Sequence, residues 1–453
     1  MNKPIDHGYW NTVKTWLMPG MNVKRWILLT MFGLGLLGIS VLVLVDFTIL
    51  GAIKRWLIDN VMIDFFGKNR LYTPNWVSLL LGAVVLFTAF FSIVYGIRKL
   101  LNSVITSLIP EREKAIADIV KEYRFRNKML NIVVIGGGTG IFPYLQALKD
   151  LPFSVTAIVT VADSGGSSGR LREEYGILAP GDIRRALIAL SDKKSSEMEK
   201  LFNYRFKEGS LKDHSLGNLM ITALTEMTGD FSESIYQLSR ILDVKGKVIP
   251  FTLDSLNLCA EFEDGSVVIG EANIHQQGKR IRKIFFDPPY CKPLLRVIEE
   301  LDKADVILLG PGSLFTSVLP CLIITPIADI IHNSDALKIY NANLMTEVGE
   351  TDQYSVSDHL NGLMNNVGTK IVDYTIINNG IIEQDVRDFY AKYNSIPVEW
   401  DLDQIRKMGI TPLFYDLVEV SEGKIRHSPE KVRQALSDIL SKAKYVRKGI
   451  FPL

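Results

Sequence analysis

At 453 residues the chain has room for two or three domains. Its 51 Lys and Arg residues against 50 Asp and Glu leave a formal net charge of +1, which supplies no whole-protein field for collecting nucleic acid; nucleic acid is not an expected partner. Cys259, Cys291 and Cys321 are far apart and form no C-x-x-C pair, which argues against a disulfide framework or a thiolate zinc site and for a reducing compartment.

The N-terminal part is the apolar end of the molecule. Residues 27–45 and 76–97 carry no charge, and each run is long enough to cross a hydrocarbon core of roughly 30 Å as a helix. Trp26, Trp56 and Trp76 sit near their ends, where an amphipathic ring prefers the interface. Lys24-Arg25 and Arg98-Lys99 flank the outer sides, which places both termini inside, although Lys54, Arg55, Lys68 and Arg70 in the intervening loop weaken that asymmetry. Residues 1–97 are therefore expected to form a transmembrane hairpin. The expected location is the cell membrane, multi-pass, with the soluble part on the cytoplasmic side. Residues 98–130 read as a helical linker interrupted at Pro110, with the basic run KEYRFRNK (121–128) able to touch anionic lipid.

The soluble domain, residues 131–453, opens with NIVVIGGGTGIFPYLQAL. Four β-branched residues enter a glycine run and a helix-like stretch follows, the pattern of a buried first strand turning into a helix N-terminus. Gly136, Gly137, Gly138, Thr139 and Gly140 let backbone N–H groups approach a ligand while the helix dipole adds partial positive charge, so the turn suits a phosphate. The spacing is neither G-x-G-x-x-G, which needs glycine at Ile141, nor a Walker loop, which needs a lysine. A pyridine-dinucleotide oxidoreductase is correspondingly disfavoured.

A second strand, residues 155–161, runs into Asp163, which competes for two readings: a ribose-binding carboxylate, or the start of a ligand loop. After Ser164, the residues Gly165, Gly166, Ser167, Ser168 and Gly169 make that loop flexible and rich in donors, with Arg170 and Arg172 behind it, and it is expected to act as a lid on a second phosphate or a sugar. Asp182 in PGDIRRAL sits in a helix's first turn, as a cap or as a metal or substrate ligand. His214, Ser215 and Asn218 gather at the start of an apolar helix, where capping and ligand contact are both open.

CAEFEDGSVVIGEANI (259–274) alternates around Asp264-Gly265 and is expected to be a β-hairpin without chemistry of its own. ADVILLGPGSLFTSVLP (304–320) repeats the strand-glycine-helix pattern, so Gly310, Gly312 and Ser313 form a second phosphate-type turn. Strands are expected at 338–344 and 372–379, with Ser355 and Asp358 boxing a helix start between them. Arg426 precedes a Ser-Pro helix start and is either beside a cap or a phosphate clamp. Alternating strands and helices, with glycine turns at strand C-terminal ends, predict a doubly wound, Rossmann-like, mainly parallel α/β sheet with its site along that edge.

The order of these motifs, GGGTG, TVADSGGSSGRLREEYG, PGDIRRAL, HSLGNL with ALTEMTGDF, GPGSLFTSVLP, NLMTEVGET and IRHSPEK, resembles the YvcK family of gluconeogenesis factors, which is similar in turn to the CofD phospholactate transferases. The resemblance runs from about Asn131 to Ile439 and leaves out the membrane hairpin. It implies a regulator of cell shape and cell-wall precursor supply that binds a UDP-sugar, UDP-N-acetylglucosamine first, or another nucleoside diphosphate. The residues above, with Asn343 in NLMTEVGET, would make up that site. It implies as the alternative a transferase of the CofD kind, moving a phospholactyl or similar group from an activated nucleoside diphosphate. Such chemistry would require Mg2+; no metal ligands or other cofactor are assigned. Two positions depart from the family pattern: Ser164 stands where a second Asp is usual and Arg185 where Asn is usual, and the lost carboxylate weakens a two-acid cation site. Assembly into a homo-oligomer is left open.

Overall fold

The structure, a computed structural model, describes residues 23–44, 75–108, 130–192, 196–421 and 423–446. The chain divides into two units, Met1–Phe125 and Arg126–Leu453. The loop expected between the two apolar runs, with Trp56 and its four basic residues, lies outside the described residues, as do residues 109–129 of the expected linker.

In the first unit α1 (Val23–Leu44) packs along α2 (Asn75–Leu108), the second helix continuing through the first part of the expected linker. Gly33 permits the close approach: a Cβ there would come within 2.7 Å of Ile93 Cγ1. Trp26 meets Tyr95 edge-on at 5.9 Å, and the Lys99 ammonium lies 5.8 Å from the Trp26 ring centre. Leu28, Met31, Phe32, Phe87 and Phe90 are exposed. By length and composition Gly82–Leu100 suffices to cross a membrane, whereas the apolar stretch of α1, Arg25–Ser40, is shorter.

In the second unit the chain begins at the centre of a sheet and works outward twice. From β1 (Asn131–Gly136) it passes through α3 (Gly138–Lys149) to β2 (Ser154–Val159). It then runs through α4 (Gly166–Tyr175), α5 (Gly181–Leu190), α6 (Ser196–Asn203), α7 (Leu216–Thr228) and α8 (Phe231–Ile241) to β3 (Lys247–Pro250). An excursion follows: β4 (Asn257–Phe262), β5 (Val267–Ile269), the short α9 (Glu271–Ile274) and β6 (Ile281–Asp287) form a separate antiparallel sheet in the order β5-β4-β6. The chain then returns beside β1. α10 (Leu295–Asp302), β7 (Val306–Leu309), α11 (Ile327–Asn333), β8 (Leu337–Asn341), α12 (Val356–Val367) and β9 (Tyr374–Asn378) come first. α13 (Gln384–Ala391), α14 (Leu402–Lys407), β10 (Thr411–Tyr415), the hairpin β11 (Val418–Ser421) with β12 (Lys424–His427), and α15 (Pro429–Val446) complete the domain.

The main sheet has seven strands in the order β10-β9-β8-β7-β1-β2-β3, every pair parallel. Helices cover both faces of a parallel sheet, so its strands read as continuous apolar runs rather than alternating ones; Ile132, Val133, Val134 and Ile135 are all buried. The predicted doubly wound fold is therefore present. Strand ends differ by a few residues: β2 stops at Val159, β8 at Asn341 and β9 at Asn378. The expected hairpin 259–274 forms, and β6 adds a third strand to it.

Two expectations are corrected. The expected lid of residues 165–169 is the ordered start of α4: Gly169 N donates to Gly165 O at 2.9 Å, and Ser167 and Ser168 are buried. The Ser-Pro helix start after Arg426 forms, α15 beginning at Pro429, but Arg426 itself lies on β12, opposite Glu419, with its side chain exposed; strand alternation turns the neighbouring His427 inward against the Tyr144 ring.

The expected box at α12 is formed. Ser355 Oγ accepts from Asp358 N at 3.3 Å and Asp358 Oδ2 accepts from Ser355 N at 2.9 Å. Ser355→Ala should lower the unfolding free energy by about 1 kcal/mol, read as a shift of the urea midpoint at unchanged slope.

Candidate functional site: a crevice between two glycine turns

The strand order reverses between β1 and β7, one leading outward to β2 and β3, the other to β8, β9 and β10. Doubly wound sheets bind ligands at such a reversal, outside the carboxyl ends of the strands. Both predicted glycine turns are there and they touch. A Cβ on Gly140 would lie 2.5 Å from the Cα of Gly312 and strike the Pro311 carbonyl, so the first turn of α3 can rest on the second turn only as glycine. Gly137 is the N-cap of α3, with extended backbone (φ −85°, ψ 145°) and no side-chain cap. The Gly138 N–H at the start of α3 donates to Asp182, and the N–H groups of Thr139 and Gly140 behind it have no partner within the helix, an arrangement suited to an anion.

Three further predicted residues join this edge. Asp182, in the first turn of α5, accepts a hydrogen bond from the Gly138 backbone and lies 3.8 Å from Arg185. Burial, then the charge of Asp163, pushes its carboxyl up to about 6. Asp163 Oδ1 accepts from Gly165 N at 2.8 Å, and burial raises its pKa as well. Asn343 Oδ1 accepts from Gly312 N at 3.2 Å, tying the loop after β8 to the second glycine turn.

His214 and Asn218 are brought together through Ser167. Arg184 Nε donates to Asn218 Oδ1 at 2.9 Å, which orients the amide so that its Nδ2 donates to Ser167 Oγ at 3.1 Å. The Ser167 hydroxyl then donates to His214 Nδ1 at 3.0 Å, and burial lowers the imidazole pKa. A neutral ring protonated on Nε2 satisfies every partner in this chain. With Ser167, Asn218 and Arg184 all buried, the relay makes the start of α4 rigid. Ser164 Oγ accepts from Ala272 N at 3.1 Å. Arg170 does not join the site: it is exposed and donates to Lys212 O at 2.8 Å. Arg172 is likewise committed, to Asn257 Oδ1 at 2.8 Å.

The structure adds a group absent from the sequence expectations. α9, at the end of the hairpin thought to be without chemistry, carries Glu271, whose charge acts on both Asp163 and Asp182. One turn later His275 lies 3.5 Å from Glu271 Oε1 through Nε2 and 3.1 Å from Glu350 Oε1 through Nδ1. Glu350 is buried, accepting from Thr316 Oγ1 at 2.7 Å and from Phe315 N at 3.2 Å. Burial and then Glu347 raise its pKa; the Glu271 hydrogen bond, ahead of the Glu350 charge, raises that of His275. Glu347 is itself raised by burial and hydrogen-bonded to Ser313. Glu347 and Glu350, three apart just beyond a strand end, carried a readable signal. Glu271 and His275 had none, because only the long-range docking of the excursion puts them here.

Among the described residues no group of three or more His, Cys, Asp or Glu side chains is gathered in a form that could hold a metal. The carboxylates face backbone N–H groups, hydroxyls and His275, and Asp163 and Asp182 lie close enough for the charge of the first to act on the second. A cavity of 520 Å³ bordered by Asp305, Lys338 and Asp373 opens at the opposite, N-terminal edge of the sheet, away from these groups.

Residues 132–418 match the family model of 2-phospho-L-lactate transferase CofD. The chain is 45% identical over 310 residues to the gluconeogenesis factor of Halalkalibacterium halodurans, an alignment covering 68% of this chain and 96% of that one. It is 42% identical over 310 residues to the gluconeogenesis factor of Bacillus subtilis, covering 68% and 98%. A relative from Clostridium acetobutylicum is 38% identical over 442 residues, 96% of this chain and 94% of its own, so the likeness extends into the N-terminal unit that the motif resemblance left out. A crystal structure of a UPF0052 family member from Bacillus halodurans, 45% identical, superposes with a TM-score of 0.66 over 68% of this chain and 99% of its own.

Asp182 supplies a pH test of this geometry. Its pKa is higher folded than unfolded, so the stability it confers is complete below about pH 4 and is lost as pH rises through about 6. Asp182→Asn should therefore match the parent near pH 4 and exceed it by up to about 3 kcal/mol at pH 8. Parallel urea titrations across that range measure the gap, and a constant difference would show that the carboxyl is not desolvated.

Proposed function

The chain belongs to the CofD family, on the branch of the gluconeogenesis factors, and from that premise we propose that it is a membrane-attached regulatory protein whose α/β domain binds a nucleotide sugar, UDP-N-acetylglucosamine first among them, in control of cell shape and cell-wall precursor supply. One observation carries the binding part: two glycine turns in contact at the strand reversal, the first of them a helix N-terminus whose N-cap residue is glycine and whose first N–H alone is met, by Asp182. A diphosphate is the ligand fragment that such a pair accommodates, one phosphate near each turn.

Around that anion site the crevice is acidic. Asp163, Glu271 and Glu347 accept hydrogen bonds and repel further phosphate, which suits sugar hydroxyls rather than a triphosphate tail. Membrane attachment rests on the exposed apolar surface of α1 and α2 and on the length of Gly82–Leu100; the proposal takes both helices as spans.

Two measurements test this reading. Calorimetry on the full chain should show saturable binding of UDP-N-acetylglucosamine without its consumption, whereas turnover of a nucleoside-diphosphate donor that depends on magnesium and an acceptor would replace regulator by transferase. In Gly137→Ala the backbone angles suit alanine, but the new methyl carbon would lie 2.6 Å from Ser317 Oγ and 3.0 Å from Asp182 Oδ2. Binding should weaken by about tenfold or more while the melting temperature changes little. Separately, the full chain should sediment with membranes and be released by detergent; recovery in a high-speed supernatant would remove the hairpin from the proposal.

A further inference from the structure

We propose that residues 270–277, at the end of the accessory hairpin, are a strap that closes the crevice, and that His275 is its proton-operated latch. α9 and the 3-10 turn His275–Gln277 that continues it meet the main domain at two places. At one end Ala272 N donates to Ser164 Oγ at 3.1 Å, in the loop after β2. At the other, His275 Nδ1 lies 3.1 Å from Glu350 Oε1, in the loop after β8, and a Cβ on Gly349 would strike the His275 carbonyl. In the strand order β8-β7-β1-β2 those two loops are three strand spacings apart, about 14 Å, with the turns after β1 and β7 between them. The segment therefore crosses both glycine turns.

Its hold is polar at both ends and thin in the middle. Among residues 271–277 Ile274 alone is buried, so one aliphatic side chain supplies the apolar anchor. Repulsion works against that anchor, because docking brings the Glu271 charge to bear on Asp163 and Asp182 where water screens little. A cation between Glu271 and Glu350 offsets the repulsion. His275 is placed to carry it, with Nε2 3.5 Å from Glu271 Oε1. The titratable groups that face His275 are Glu271 from its own turn and Glu347 and Glu350 from the loop after β8. Asp163 and Asp182 lie beyond Glu271, with Arg185 acting on both.

The direction of the pH effect follows from the same contacts. Released, the imidazole returns to its ordinary value of about 6.5; in place, the Glu271 hydrogen bond and then the Glu350 charge push it up to about 8. Closing thus takes up a proton, so the latch is complete below about pH 6.5 and is lost as pH rises through about 8. Glu350, raised by burial and then by Glu347, acts in the same direction, since charging it beneath the strap is costly. Below that range a ligand on the glycine turns is covered; above it the way in and out is open. This consequence for exchange rests on the reading of the crevice as a nucleotide-sugar site, whereas the strap and its latch do not.

Amide hydrogen exchange on the full chain in detergent, corrected for the intrinsic rate at each pH, tests the latch. Protection of peptides covering residues 270–277 should fall by about tenfold between about pH 6.5 and about pH 8.5, while that of β9 holds. His275→Gln, which cannot take the charge, should lower strap protection at about pH 6.5 by about tenfold, to the level of the parent at the higher pH. His275→Lys, whose cation persists, should keep protection high at both. Gly349→Ala should loosen the strap at both pH values through contact with the His275 carbonyl. Equal strap protection in the parent at the two pH values, or protection in His275→Gln equal to the parent's at about pH 6.5, overturns the proposal. UDP-N-acetylglucosamine should add protection to the same peptides at about pH 6.5. If it adds none while the parent and His275→Gln behave as expected, the nucleotide reading fails and the strap stands.

Discussion

The close approach of the turn after β1 to the turn after β7 is the constraint on which the rest of the domain depends. Gly140 must come against Pro311 and Gly312, and Gly138 must come against the backbone of Asp182, because a side chain at either place would occupy another segment's main chain. This contact lets three chain segments meet at the strand reversal with their backbones, not their side chains, facing the opening. It also sets the direction of α3, whose N-terminal end and dipole then face the crevice. The buried apolar strands behind it hold the edge in place; the glycines determine what the edge can receive.

The carboxylates around that opening give it its second property. Asp163, Asp182, Glu271, Glu347 and Glu350 come from four separate segments, and burial raises the pKa of Asp163, Asp182, Glu347 and Glu350. A charged carboxylate is costly in such surroundings unless something compensates it. The basic groups divide the carboxylates between them: Arg185 acts on Asp182 and Asp163, with Arg184 and Arg172 behind it, and His275 acts on Glu350, Glu271 and Glu347. The anion-binding backbone is thus ringed by acceptors with little spare positive charge. That balance limits how much negative charge a ligand can bring and favours one carrying hydroxyl donors beside its phosphates.

Much of this was legible in the sequence where the signal is local. The apolar run Ile132–Ile135, the GGGTG and GPGS turns, the Asp264-Gly265 hairpin and the Ser355–Asp358 box each depend on neighbours within a few residues, and each is formed. The failures share a different cause. Serines and glycines 165–169 look mobile by composition, yet the His214 and Asn218 side chains, about fifty residues away, fix them as a helix start. Arg426 looked like a clamp because a Ser-Pro pair follows it, but pairing with β11 extends the strand through His427 and turns the arginine outward. Glu271 and His275 were invisible for the same reason, since their role depends on where a small accessory sheet docks.

The relatives separate what the α/β domain requires from what accompanies it. Proteins matching this chain over 310 residues are themselves almost wholly covered, and one of them superposes on 68% of this chain, so a domain of this fold exists in chains that align with little else of this one. The Clostridium relative, aligned over 442 residues, shows that the N-terminal unit recurs alongside the domain and is not a peculiarity of this chain. The two units also follow opposite packing rules. The sheet hides its branched aliphatic residues on both faces, whereas α1 and α2 meet through Gly33, Thr30 and Gly96 and leave Leu28, Phe32, Phe87 and Phe90 outside. Small residues between helices with large apolar ones facing outward are what a hydrocarbon solvent selects, because helix contact there gains from close packing and nothing from removing water. On the proposed reading a unit built by that rule attaches the chain to a membrane, while the α/β domain has a complete crevice of its own.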